Sequence, residues 1–210
     1  MDIVCVLFDG ITALDIVGPY EVLQRLPEAN VKFTATERGE IRTDNRFLGL
    51  VADHTFADTT SADVLVVPGG FATRALEKDA ALLEWIRAID LTTTWTTSVC
   101  TGSMLLAAAG LLEGKEATSH WASLVRLREY GAIPTSRRVV EQGKIVTAAG
   151  VSSGIDMALT LTARIAGDDF AQGVQLGIEY DPQPPFDSGS VDKAPKAIFE
   201  FLSAMYAGRL

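Results

Sequence analysis

Three short runs of apolar or β-branched residues punctuate the first half of the chain: Ile3 to Phe8, Val64-Leu65-Val66-Val67, and Thr93 to Val99. A strand that is apolar at nearly every position has both faces covered, as in a parallel sheet lying between layers of helix. Between these runs the spacing changes to every third or fourth residue. It does so at Ile16 to Leu26, at Ala80 to Ile89 with Leu82, Leu83, Ile86 and Ile89 on one stripe, and at Gly102 to Leu112. That spacing predicts helices. Strand alternating with helix predicts right-handed crossovers and an α/β fold, a three-layer sandwich around a mostly parallel sheet.

Two hairpins are expected to interrupt the alternation. One runs through Phe33 to Val51, and the other joins Arg138-Val139-Val140 to Lys144-Ile145-Val146-Thr147 across Glu141-Gln142-Gly143. Helices are expected near the C-terminus at Ser153 to Ile165, Asp169 to Ile178 and Ala194 to Ala207, with the proline-rich Asp181 to Phe186 as an ordered loop. No repeat or linker divides the chain, so residues 1–210 are expected to be one domain.

Composition narrows the function. The chain carries 18 Lys+Arg against 27 Asp+Glu, a net charge of −9. Its longest basic run is Arg137-Arg138, and nucleic acids and anionic membranes both require a basic footprint. A small-molecule substrate is the expectation, with no nucleic-acid or membrane partner. No segment has the ~18 apolar residues of a bilayer span, and the N-terminus does not read as a signal peptide, so the expected location is the cytoplasm. Two Cys and two His are too few for a disulfide framework or a His-rich metal cage, and no cofactor is called for.

One of the two cysteines sits in a distinctive place. In Thr96-Thr97-Ser98-Val99-Cys100-Thr101-Gly102-Ser103-Met104 a strand-like run passes into an Ala/Leu-rich helix, with Cys100 at the junction. This is the layout of a nucleophile elbow, where small neighbours allow a sharp turn and a strained backbone. A helix N-terminus there favours thiolate, so a lowered Cys100 pKa is expected. The competing reading is a buried core cysteine, which is how Cys5, inside its apolar strand, reads. Val66-Val67-Pro68-Gly69-Gly70 ends a strand in a turn with uncovered N–H groups. Gly70 and Thr101 are the candidate oxyanion donors, against the plainer reading of an ordinary turn. Asp15, in Leu14-Asp15-Ile16-Val17-Gly18-Pro19, is either a helix cap or an acid/base with a raised pKa beside the thiol. His120, in Thr118-Ser119-His120-Trp121, is either a partner of Cys100 or a satisfied structural group, and His54 is expected to be exposed.

Taken together, Ser98-Val99-Cys100-Thr101-Gly102-Ser103, Pro68-Gly69-Gly70 and Leu14 to Pro19 resemble the ThiJ/PfpI superfamily, relatives of class I glutamine amidotransferases. The likeness extends over Ala117 to Trp121, Gly150 to Asp156 and Glu179 to Phe186. It implies a flavodoxin-like sandwich and a homodimer with the site near the subunit contact. Protease-like members carry His directly after the cysteine and usually Glu as the acid, whereas here Thr101 follows Cys100 and the acid is Asp15. Regulator relatives append a basic helix-turn-helix domain, which an acidic chain ending at Leu210 is not expected to contain.

The resemblance is strongest to the branch that hydrates isonitriles to N-substituted formamides. It implies Cys100 as nucleophile, Asp15 as general acid/base, Thr101 in support through its hydroxyl, and Gly70 and His120 on the substrate. The alternatives are a thiol hydrolase or glyoxalase-like enzyme leaning on His120, and a non-enzymatic redox-sensing or small-molecule-binding domain.

Overall fold

The apolar run at the N-terminus folds as strand β1 (Asp2–Val6), buried from Ile3 onward. In the computed structural model, which describes residues 1–207, the chain continues through α1 (Ala13–Leu23), β2 (Asn30–Ala35), β3 (Gly39–Arg42), β4 (Gly49–Ala52), β5 (His54–Thr55) and β6 (Val64–Val67). Then come α2 (Thr73–Leu76), α3 (Ala80–Asp90), β7 (Trp95–Val99), α4 (Gly102–Ala108) and β8 (Glu116–Ala117). A 3-10 helix over Leu124–Tyr130 precedes β9 (Ile133–Pro134), β10 (Val139–Gln142), β11 (Ile145–Ala148), α5 (Ser153–Ala166), α6 (Asp168–Gly177) and α7 (Lys196–Ala207).

Seven strands form one sheet in the order β10-β11-β7-β6-β1-β2-β5. Every neighbouring pair is parallel except β10 with β11. Helix α1 packs against α5, while α3 packs against α4, which is the helical cover that wholly apolar strands such as β6 require. From β1 the chain builds outward through β2 on one side, then returns to build through β6, β7 and β11 on the other. The loops leaving β1 and β6 therefore diverge at a topological switch point, where α/β sheets open a crevice at the C-terminal ends of their strands. Asp15 follows β1, Gly69-Gly70 follow β6, and Cys100 follows β7.

Several elements differ from expectation. Helix α1 begins at Ala13, not Ile16, and carries Pro19 within it. Phe33 belongs to β2, paired in parallel with β1, so the first hairpin is only β3 with β4. Helix α4 stops at Ala108 rather than Leu112, and Gly110 follows in the left-handed region at φ +81°. His54 is half-buried on the edge strand β5 rather than exposed.

The described residues form two compact units, Met1–Ile178 and a second beginning at Glu179. The first holds the whole sheet and all the candidate site residues. The second is irregular through the prolines of 182–185 and then helical in α7, with Ile198, Phe201 and Met205 exposed along it.

Candidate active site

Cys100 turns the chain from β7 into α4 through a φ of +57°. A non-glycine residue held there is strained, and the strain persists only where the surroundings over-determine it. Here they do. The Cys100 N–H lies 3.1 Å from the carbonyl of Ala148 and 3.0 Å from that of Ala149. Its own carbonyl accepts the hydroxyls of Ser103 at 3.0 Å and Ser119 at 3.1 Å. A Cβ on Gly102 would lie 2.1 Å from the Val67 carbonyl oxygen, so only glycine lets the elbow rest on the end of β6.

Asp15 is completely buried in the first turn of α1, where Thr12 occupies the N-cap position. It is therefore not a helix cap. Its Oδ2 accepts the Gly69 N–H at 2.9 Å, and its Oδ1 is buried with no hydrogen bond of its own. Gly69 is the piece that lets these groups share one place. A Cβ there would sit 2.6 Å from both the N and the Oγ1 of Thr101 and 2.8 Å from Asp15 Oδ2.

Burial pushes the Asp15 carboxyl up to about 7, Asp44 adds to the rise, and the Gly69 N–H and Cys100 act in the opposite direction. The raised value agrees with the sequence expectation. The expected cause, a neighbouring thiolate, is not the one that dominates.

The thiol reverses its expectation. Burial raises the Cys100 pKa and the Asp15 charge raises it further, against the backbone N–H groups of Thr101 and Val151, which favour thiolate. A helix N-terminus is worth roughly 0.3–1 kcal/mol at ordinary sites, whereas burial shifts a pKa by as much as ~3–5 units. The seven-residue α4 cannot overcome that difference. Val151 delivers its N–H from a backbone at φ +32°.

Thr101 is used differently from expectation. Its Oγ1 accepts the Gly70 N–H at 3.0 Å and donates to the Gly70 carbonyl at 3.2 Å. The hydroxyl thus fastens the Gly70 turn to the elbow, and the Gly70 N–H expected to face substrate is engaged by Thr101.

His120 reaches the elbow from the opposite side to Asp15. Its Nδ1 accepts the Ala122 N–H at 3.3 Å, so the neutral ring carries its proton on Nε2. The ring lies against Gly150, where a Cβ would come within 2.7 Å of Cδ2. Burial lowers its pKa. Cys5 is fully buried in β1, with its thiol pushed up to about 12 by burial alone. Among the described residues no cluster of His, Cys, Asp and Glu is placed to hold a metal ion, and no helix is long and apolar enough to cross a membrane.

Sequence reasoning missed Gly69, Ser103, Ser119 and Val151 as site residues. Ser103, three residues beyond the elbow cysteine, was the one with a local signal. Ser119, nineteen residues from Cys100, becomes visible only when the fold brings it back.

The DJ-1/PfpI family pattern matches residues 1–164. The chain is 45% identical over 194 residues to an isonitrile hydratase of Pseudomonas putida, covering 92% of this chain and 85% of that protein. It is 33% identical over 63% of its length to the HTH-type transcriptional regulator CdhR of Pseudomonas aeruginosa, of which it spans 38%. A ThiJ/PfpI family protein from Pseudomonas syringae superposes with a TM-score of 0.95 at 36% identity, covering 99% of this chain and 86% of that one. With the elbow, the switch-point crevice and these likenesses in hand, the chain belongs to the DJ-1/PfpI family.

Proposed function

We propose that the protein is an isonitrile hydratase that adds water to R–N≡C to give R–NH–CHO, with the Cys100–Asp15 pair as its working unit. The observation that carries this reading is Asp15, a wholly buried carboxyl with one oxygen held by Gly69 N–H and the other without a bond of its own. The similarity to the hydratase of Pseudomonas putida over nearly the whole chain supports the same reading.

With Asp15 raised to about 7 and Cys100 higher still, the pair holds a single proton at a pH somewhat above neutrality. The reacting form places that proton on Asp15 and leaves thiolate on Cys100, beside the N–H groups of Thr101 and Val151 that favour it. Thiolate attacks the terminal carbon and Asp15 protonates the same carbon, giving R–N=CH–S–Cys and a carboxylate. The carboxylate then draws a proton from water as the hydroxyl adds to carbon, and Asp15 passes that proton on to nitrogen, becoming carboxylate again. When the C–S bond breaks, the hydroxyl proton returns to Asp15, thiolate leaves and the formamide departs.

Because the first charge develops on carbon and is quenched by a proton, the first step makes no oxyanion on the substrate. That fits a Gly70 N–H committed to Thr101. His120, with Nδ1 occupied, serves substrate or water on the β11 side. A hydrolase built on His120 as the base is disfavoured by that occupied nitrogen and by the lowered pKa. The reading carries with it the cytoplasmic location expected from the sequence and the homodimer implied by the family resemblance.

The test is ultraviolet monitoring of formamide formation from an alkyl and an aryl isonitrile. Turnover by the wild type, with none by Cys100→Ala and a severe loss in Asp15→Asn, supports the reading. Near wild-type turnover by either variant overturns it.

A further inference from the structure

A second carboxylate, Asp44 at the exposed tip of the β3–β4 hairpin, is tied to the site, and the chemistry above leaves it unused. The hairpin lies along the segment that enters α1. Gly10 N–H donates to the Arg42 carbonyl at 2.8 Å, Arg42 N–H to Asp9 Oδ1 at 2.8 Å and Asp44 N–H to the Ile11 carbonyl at 2.9 Å, while Ile11 and Thr43 pair as a parallel bridge. An N-cap hydroxyl ordinarily accepts an N–H of its own helix. The hydroxyl of Thr12, at the N-cap of α1, makes no such bond and donates instead to Asp44 Oδ2 at 3.1 Å. The Thr12 carbonyl accepts the Asp15 N–H at 3.1 Å, and the Thr12 N–H donates to the Gly69 carbonyl at 3.0 Å. Thr12 thus joins Asp44 to both pieces of backbone that hold the Asp15 carboxyl. The other charges nearby are engaged with one another. On the hairpin Arg42 pairs with Glu40 and Arg46 with Asp9, on α1 Arg25 pairs with Glu21, and on α5, which packs against α1, Asp156 pairs with Arg138 and Arg164 with Glu141.

We infer that Asp44 is a positioning residue for the proton shared by Asp15 and Cys100: its carboxylate, fastened to the start of α1 through Thr12, biases that proton toward Asp15 and so raises the share of the pair that carries thiolate. The inference rests on the shared-proton pair of the proposed function, though not on the identity of the substrate. A like charge disfavours ionisation of a neighbouring carboxyl, and Asp44 acts in that direction on Asp15. The charge that acts on the thiol is that of Asp15 itself. Asp44 therefore bears on one member of the pair and not equally on both, which is what moving a shared proton from one to the other requires. With the proton on Asp15, the acid is ready to protonate carbon and the sulfur is ready to attack it.

The test is the pH dependence of Cys100 alkylation by iodoacetamide in the full-length protein, read by mass spectrometry of the Cys100 peptide. Asp44→Asn keeps an oxygen to accept the Thr12 hydroxyl and removes only the charge. In the wild type the rate climbs to a plateau as pH passes about 7, where the pair loses its first proton. In Asp44→Asn that limb moves to lower pH by about 0.3–1 unit and the plateau falls by the matching factor, about two- to tenfold. Well below the limb the two curves coincide, because Asp15 is protonated in both proteins and the thiol ionises alike. Asp44→Glu, which restores the charge, returns the limb and the plateau toward the wild type. Coincident curves throughout, an Asp44→Asn curve lowered equally at every pH as a merely loosened hairpin would give, or an Asp44→Glu curve like that of Asp44→Asn overturns the inference. Formamide formation from an isonitrile is followed in parallel. Alkylation curves that diverge as described while neither protein makes formamide would sink the hydratase reading and leave this one standing.

Discussion

Cys5 and Cys100 are the same residue type, both buried, both with thiol pKa values raised by burial. Nothing about burial separates a packing cysteine from a nucleophile. What separates them is the backbone. Cys5 lies in the middle of an extended strand, with its neighbours' N–H groups committed to the sheet ladders on either side. Cys100 stands at φ +57° at the end of such a ladder. Past that end the N–H groups of Thr101 and Val151 come free to face sulfur, and Asp15 joins from a neighbouring loop. Reactivity here comes from where a strand ends, with a buried acid to share its proton.

The largest expected effect breaks the site while leaving the packing cysteine untouched. Asp15→Asn removes the only proton the pair can hand to carbon, and formamide formation falls by about a hundred- to ten-thousand-fold. The same variant is more stable than wild type at pH 8. The folded-state pKa of Asp15 is raised from 3.8 to about 7, so its contribution to stability is present below pH 4 and is lost as pH rises through 7. The difference in melting temperature between Asp15→Asn and wild type therefore widens from pH 4 to pH 8 and then levels.

Next in size is Gly69→Ala. Its Cβ collides with Thr101 and Asp15 together, costing about 1–3 kcal/mol or more in overpacking. Activity is lost in the fraction that still folds, and thermal melts with turnover assays read both effects. Third, kcat/KM falls with unit slope as pH drops below about 7, because the pair then takes up a second proton and the thiolate form disappears. The smallest effect is at the other cysteine. Cys5→Ala lowers stability by about 1–2 kcal/mol and leaves kcat unchanged, by denaturant melts and initial rates.

The same contrast explains what could be read along the chain. Val64–Val67 and the C-terminal helices are local patterns whose periodicity states their burial, and the structure follows them closely. Cys100 and Asp15 were also legible, because an elbow and an acid among apolar residues are local too. Helix α1 starts at Ala13, one turn ahead of the apolar spacing that begins at Ile16, and tertiary packing against α5 holds the helix through Pro19. Phe33 was assigned to a hairpin because nothing nearby marks pairing with β1, some thirty residues back. The site was least legible where it depends on distance along the chain. The Gly69–Asp15 bond spans 54 residues, and the commitment of Gly70 N–H to Thr101 spans 31. The direction of the Cys100 pKa depended on how deeply the fold buries the elbow, which helix-terminus reasoning does not contain.

Rapid-quench mass spectrometry during turnover of an aryl isonitrile tests the central claim most directly. A transient protein adduct heavier by the full mass of the isonitrile is expected, mapped to Cys100, never to Cys5, and absent from Cys100→Ala along with the formamide. Formamide released by Cys100→Ala, or an adduct carried on Cys5, would contradict that claim.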